Sequence, residues 1–174
     1  MFAHAGQGYA GHGTLCGALG VSAYVINMVA YDDKYSFAPI IDRMMWWYSG
    51  MSFPTERFDD ISEFPKQVQA KAMSPLCHSS VSKWTMEAGV EVTSKEKYER
   101  CAKVAGEVVY TVTHSLNEYF AGKWKPAKWE PSKETEYCIS CHGPEGYPDY
   151  SDADGMNHQQ GHMECNLCHT DHTK

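Results

Sequence analysis

The chain has 174 residues, of which 43% are hydrophobic and 21% charged, and a formal net charge of −7. That is enough for one packed domain with an extension that carries a cofactor. The acidic balance argues against a nucleic-acid partner and for docking to basic patches on other proteins, and no stretch is long and apolar enough to span a bilayer.

Residues 1–13 are rich in glycine and alanine, carry His4 and His12, and read as an irregular arm. Thr14 is the expected cap of a helix running to about Tyr31, with Leu15, Leu19, Ile26 and Val29 on one face. A second helix is expected from about Tyr35 to Tyr48, closed by Gly50. Residues 51–73, broken by Pro54 and Pro65, read as a loop with one short helical turn near Pro65–Val68. Ser74 and Pro75 serve as cap and first residue of a third helix that Gly89 stops. Ser94 opens the most regular helix. In it Tyr98, Cys101, Ala105, Val108, Val112, Leu116 and Tyr119 recur at spacings of three and four, and the pattern ends near Gly122. No strand is predicted. After Gly122 apolar periodicity disappears and Pro126, Pro131, Pro144 and Pro148 punctuate the chain. The expected fold is mainly α: a small helical bundle at 1–121, then an irregular tail at 122–174. Such a tail cannot build a core from its own side chains and needs a bound group to fold around.

The tail carries attachment chemistry for such a group. Cys138-Ile139-Ser140-Cys141-His142 and Cys165-Asn166-Leu167-Cys168-His169 are two copies of Cys-x-x-Cys-His. In that pattern two thiols form thioethers to haem vinyl groups and the histidine ligates the iron, which is the signal for c-type haem. The competing readings are a four-cysteine zinc ribbon and a dithiol redox pair. Zinc requires no histidine after each pair, and the flanks lack the strand pattern of a thioredoxin-like turn. Two haems per chain are therefore expected, with His142 and His169 as proximal ligands and the tail as an irregular, haem-packed unit. Only 23 residues separate Cys141 from Cys165, so the haems lie close together. Seven other histidines could supply sixth ligands. His12 and His158, both near glycines that permit close approach to a porphyrin, rank first, then His162 and His4; Met156 and Met163 rank lower. His114 reads as a packing or propionate-binding residue and His172 as exposed. Haem c is attached outside the cytoplasm, so a periplasmic or extracellular location is expected. No basic segment followed by an apolar run opens the chain, which reads as a mature form.

Cys16, Cys77 and Cys101 lie outside these motifs, all on predicted helices. They could be small buried hydrophobes, a disulfide with one thiol left over, or three ligands of an iron–sulfur cluster with His78 as one choice of fourth. Cys16-Gly17-Ala18-Leu19-Gly20 and the later single cysteines resemble the family named for its C-GCAxxG-C-C pattern. Gly17 stands where that pattern has alanine, and the pattern's first cysteine has no counterpart near His12 and Thr14. Joined to the two haem motifs, this arrangement resembles the split-Soret cytochrome c family over most of the chain. The resemblance implies a homodimer with two stacked, bis-histidine haems per chain, an axial histidine that the partner chain can supply, and an iron–sulfur centre among the helices.

The expected function is electron transfer, with redox proteins bearing basic surfaces as partners, in a dimer or a filament. A haem enzyme with one open iron, acting on nitrite or peroxide, is the alternative. Arginine is scarce, however, and Arg43, Arg57 and Arg100 all lie outside the tail. A redox sensor or a structural zinc protein is the third reading, with tryptophans at an interface.

Overall fold

A computed structural model describes residues 2–34, 36–142 and 162–171. The protein is mainly helical. It divides into two compact units, Met1–Lys128 and Trp129–Lys174. The first contains α1 (Gly6–Tyr9), α2 (Gly17–Ala30), α3 (Ala38–Gly50), α4 (Cys77–Ala88) and α5 (Lys95–Phe120), with strands β1 (Ser52–Phe53) and β2 (Ala70–Lys71). The second contains α6 (Lys133–His142) and a 3₁₀ turn at Cys165–Leu167.

The core of the first unit lies where α2, α3 and α5 meet. Leu19 and Ile26 of α2, Ile40, Met44 and Tyr48 of α3, and Val104, Val108 and Val112 of α5 are all buried there. The spacing of four in α3 and α5 stacks these side chains one turn apart on a single face. Ser94 caps α5, its hydroxyl accepting from Lys97 N at 3.2 Å. Gly122 and Gly89 follow α5 and α4 in the left-handed conformation, at φ 68° and 66°, as a helix stop requires. Trp84 of α4 is buried, and its indole N–H donates to Val68 O at 2.8 Å.

Several sequence expectations shift. The first helix starts at Gly17, not Thr14, because Leu15 is bridged antiparallel to Leu76. For the same reason α4 starts at Cys77, not Pro75: Pro75 O accepts from Cys16 N at 2.9 Å. Both helices therefore begin only after the paired residues. Val29 is about half exposed, and Ala30 takes the buried place. The second helix begins at Ala38, with Pro39 in its first turn. Residues 51–73 hold the two short strands, paired antiparallel, and a 3₁₀ helix at Glu56–Ile61; Pro65–Lys66 is a turn, with Lys66 at φ 54°. The arm is ordered: Gln7, Gly8, Tyr9 and Ala10 all have positive φ and form a left-handed turn closed by Ala10 N to His4 O at 2.9 Å. The tail also includes a ten-residue helix, α6, which Ser132 caps by accepting from Thr135 N at 3.2 Å.

The buried stripe of α5 is rotated from the one predicted. Tyr98 is exposed, whereas Lys97, Arg100, Lys103 and Glu107 are buried. Two of these four charges are satisfied by a neighbouring loop. Glu107 accepts from Thr55 N at 2.8 Å, and Lys103 Nζ lies 2.6 Å from Asp59 Oδ1 and 2.9 Å from Phe64 O. The Lys103 hydrogen bond holds the Asp59 carboxyl below its ordinary range. A folded-state value below the unfolded one adds stability above the unfolded value, and that stability is lost as pH falls through the folded value. Asp59→Asn is therefore expected to lower stability at pH 7, and the gap to wild type should close in acid. Urea titrations at neutral pH and near pH 3 check this.

Candidate functional site

In the first unit three segments carry the thiols. Cys16 precedes α2, Cys77 opens α4 and Cys101 lies in the second turn of α5. Backbone pairing sets the first two in register. Cys77 N donates to Thr14 O at 2.7 Å, Cys16 N to Pro75 O at 2.9 Å and His78 N to Gly13 O at 2.9 Å. The arm closes against them through its glycines. A Cβ added at Gly8 would lie 2.7 Å from Cys77 Cβ, and one at Gly13 would lie 3.1 Å from His78 Cβ.

Burial, with repulsion from Cys16 and Cys101, pushes the Cys77 thiol up to about 11. Arg100 and Lys97 oppose that rise. Burial also pushes the Tyr48 phenol far up, with Cys16 adding to it. The Tyr48 hydroxyl donates to Ser80 Oγ at 2.8 Å, and Arg100 Nη2 donates to the same oxygen at 2.8 Å. The three cysteines therefore share one partly buried neighbourhood with a tyrosine and two cations. None is in a disulfide. Among the described residues no three His, Cys, Asp or Glu side chains converge on a single ion position. Three thiols from three segments are the ligand type that an iron–sulfur cluster would take. His78 is exposed beside Cys77.

In the second unit α6 carries the first Cys-x-x-Cys-His. Cys138, Cys141 and His142 fall at positions i, i+3 and i+4 and so share one helix face. The second motif wraps a 3₁₀ turn in which Cys168 N and His169 N both donate to Cys165 O, at 3.2 and 3.0 Å. A carboxylate links the motifs. Glu164 accepts from Ser132 N at 3.0 Å, Ser132 Oγ at 2.5 Å and Thr135 Oγ1 at 2.5 Å, while Cys165 N donates to Thr135 Oγ1 at 3.2 Å. Burial pushes the Glu164 carboxyl up, but the donors from Ser132 and Thr135 bring it below its ordinary value overall. Cys165 is raised by burial and by Cys138 beside it. The first cysteine of each motif thus lies against that of the other. All four thiols are unpaired and each pair has its histidine next in sequence, so the donor set fits two covalently held haems.

His162 packs against Trp129 with ring centroids 5.0 Å apart, in the same unit as both motifs. His4 and His12 are exposed in the first unit; His4 lies against Tyr9 at 6.0 Å. His114 is 3.8 Å from Glu118. His158, His172 and Met156 lie outside the described residues. Sequence reasoning missed Tyr48, Ser80, Arg100 and the Glu164 clamp. The signals were slight: a charged residue directly before Cys101 on a buried stripe, and a serine and a glutamate flanking the motif segments.

Residues 1–115 match the family described as "Putative redox-active protein (C_GCAxxG_C_C)". The chain is 28% identical over 161 residues to the split-Soret cytochrome c of Desulfovibrio desulfuricans, which covers 91% of this chain and 54% of that protein. It thus spans about half the length of that curated relative. The solved structure described as a novel iron centre in the split-Soret cytochrome c from the same organism superposes with a TM-score of 0.77 at 25% identity, over 96% of this chain and 67% of that one.

Proposed function

The chain belongs to the C_GCAxxG_C_C family, and from that premise we propose that it is an exported dihaem c-type cytochrome that carries electrons. The observation that carries this reading is the clamped pair of haem motifs, with Cys138 against Cys165 and Glu164 tying the two segments together. Cys138, Cys141, Cys165 and Cys168 hold the haems, and His142 and His169 ligate them from the proximal side. The two sixth ligands are drawn from His12, His158, His162 and His4, of this chain or of a partner copy. Haem iron closed on both faces by imidazole exchanges electrons and binds no substrate. The protein fixes the spacing of the two attachment points. Cys16, Cys77 and Cys101 hold an iron–sulfur centre in the first unit.

The net charge of −7 supports docking to redox partners with basic surfaces. Self-association is supported by the outward face of α2, where Tyr24, Met28 and Val29 are exposed and Met28 is 62% accessible. Contiguous apolar surface of this kind marks interfaces. Met28→Glu is expected to convert a dimer to monomer in sedimentation velocity, with the haem spectrum retained.

The visible spectrum of the purified protein, oxidised and then reduced with dithionite, tests the main reading. Low-spin c-type bands with a divided Soret peak on reduction are expected. A high-spin band, or a Soret peak that shifts when cyanide or nitrite is added, would replace the carrier by an enzyme with an open iron.

A further inference from the structure

Arg100 is only 2% exposed, yet its guanidinium meets no anion. Its Nη2 donates to the neutral Ser80 hydroxyl at 2.8 Å, and its Nε is buried with no hydrogen-bond partner. Among the described residues the ion pairs are those of Arg43, Lys103 and His114, so no carboxylate balances Arg100. Lys97, one turn earlier and 5% exposed, has none either; its ammonium sits 3.6 Å from the centroid of the Tyr98 ring. Lys103 on the same helix shows what a satisfied cation looks like here, with Asp59 at 2.6 Å. A buried charge without a counter-charge is among the costliest arrangements a fold can hold. A chain with 22 acidic residues and 15 basic ones has no shortage of carboxylates to place there.

A source of negative charge is present at the same place. Spacings of three and four put Lys97, Arg100 and Cys101 on one face of α5. Ser80, which anchors Arg100, is three residues beyond Cys77 on α4. The charge on Arg100 acts on Cys77, and Cys16 acts on the same thiol. A thiol that binds metal gives up its proton and becomes an anionic ligand. Three such ligands around iron and sulfide leave a centre of net negative charge.

Resting on the reading that Cys16, Cys77 and Cys101 hold iron, we propose that Arg100 is the counter-cation of this site. It selects an anionic iron–sulfur centre and raises that centre's reduction potential. One electron taken from a one-electron donor, dithionite in the test, adds one negative charge to the centre, and no proton need move. A fixed positive charge favours the reduced form, so its loss lowers the potential. Arg100 acts by its charge, and Ser80, itself bonded by Tyr48, anchors it.

The test is a redox titration of the non-haem iron, followed by electron paramagnetic resonance on the full haem-loaded protein. Wild type, Arg100→Lys and Arg100→Met are compared. Arg100→Met is expected to shift the reduced-to-oxidised ratio at least tenfold toward the oxidised form, a midpoint about 59 mV more negative. Arg100→Lys should stay close to wild type. If Arg100→Met keeps its iron and the wild-type midpoint, the proposal is overturned. If Arg100→Met loses its iron or does not fold, Arg100→Lys decides. A lysine variant that keeps iron and midpoint supports the charge assignment; one that folds, keeps its haems and loses the iron signal overturns it. Wild-type protein with two haems and no non-haem iron would instead bring down the three-thiol reading itself.

Discussion

Cys138→Ser combined with Cys141→Ser is expected to halve the covalent haem, from two per chain to one, in a pyridine haemochrome assay against protein concentration. The remaining haem should stay on Cys165 and Cys168. The effect reaches beyond that count. The two motifs lie side by side, with Cys165 raised by its neighbour Cys138, so haems attached to them would be neighbours. The division of the reduced Soret band should therefore collapse to a single peak when either haem is lost. The unit from Trp129 onward should also lose thermal stability, because among its described residues only Thr135 is fully enclosed by protein. A small unit with so little of its own core depends on its cofactors. A variant that keeps two haems per chain would show that the motif does not attach haem.

Gly17→Ala sets two effects of opposite sign against each other. At the first residue of α2 alanine gains about 1 kcal/mol of helix propensity over glycine. However, the new Cβ would lie 2.1 Å from Ala5 O and 2.8 Å from Ala5 C. Those are backbone atoms, which cannot rotate away as a side chain would. Overpacking costs about 1–3 kcal/mol and a backbone contact this short falls at the upper end, so a net loss of about 2 kcal/mol is expected in urea denaturation followed by circular dichroism. Gly50→Ala is the control. Nothing lies within 4 Å of its added Cβ at the end of α3, so it should be neutral or slightly stabilising.

Local rules read much of this fold correctly. Ser94 as a cap, Gly89 and Gly122 as stops, and the recurrence of Val108 and Val112 all depend on residues close in sequence, and α4 and α5 end where those residues put them. What local rules could not give was pairing between distant segments. Thr14 and the Ser74-Pro75 pair carry sound cap chemistry. Leu15 and Leu76, 61 residues apart, pair instead, and the extended backbone overrides both caps. Tyr98 fits the apolar stripe by spacing, but Lys103 and Glu107 rotate it away because Asp59 and Thr55, from a loop with no readable pattern, satisfy them. The candidate sites divide the same way. The haem motifs are contiguous and were visible at once. The surroundings of the three thiols are assembled from α3, α4 and α5, so Tyr48 and Ser80 had no mark in the sequence.

The ladder that joins residues 13–16 to residues 75–78 has a consequence for how this protein can diverge. Its donors are the peptide groups of Cys16, Cys77 and His78, and its acceptors are the carbonyls of Pro75, Thr14 and Gly13. Those groups are common to nearly all amino acids. The distance between the first two thiols is therefore written in main chain, and most substitutions beside them leave it untouched. The exceptions are proline at a donor position, which has no N–H to give, and any side chain at Gly8 or Gly13, which would press on Cys77 or His78. Lineages can thus exchange most neighbouring side chains, retune the surroundings of the centre and still inherit its span.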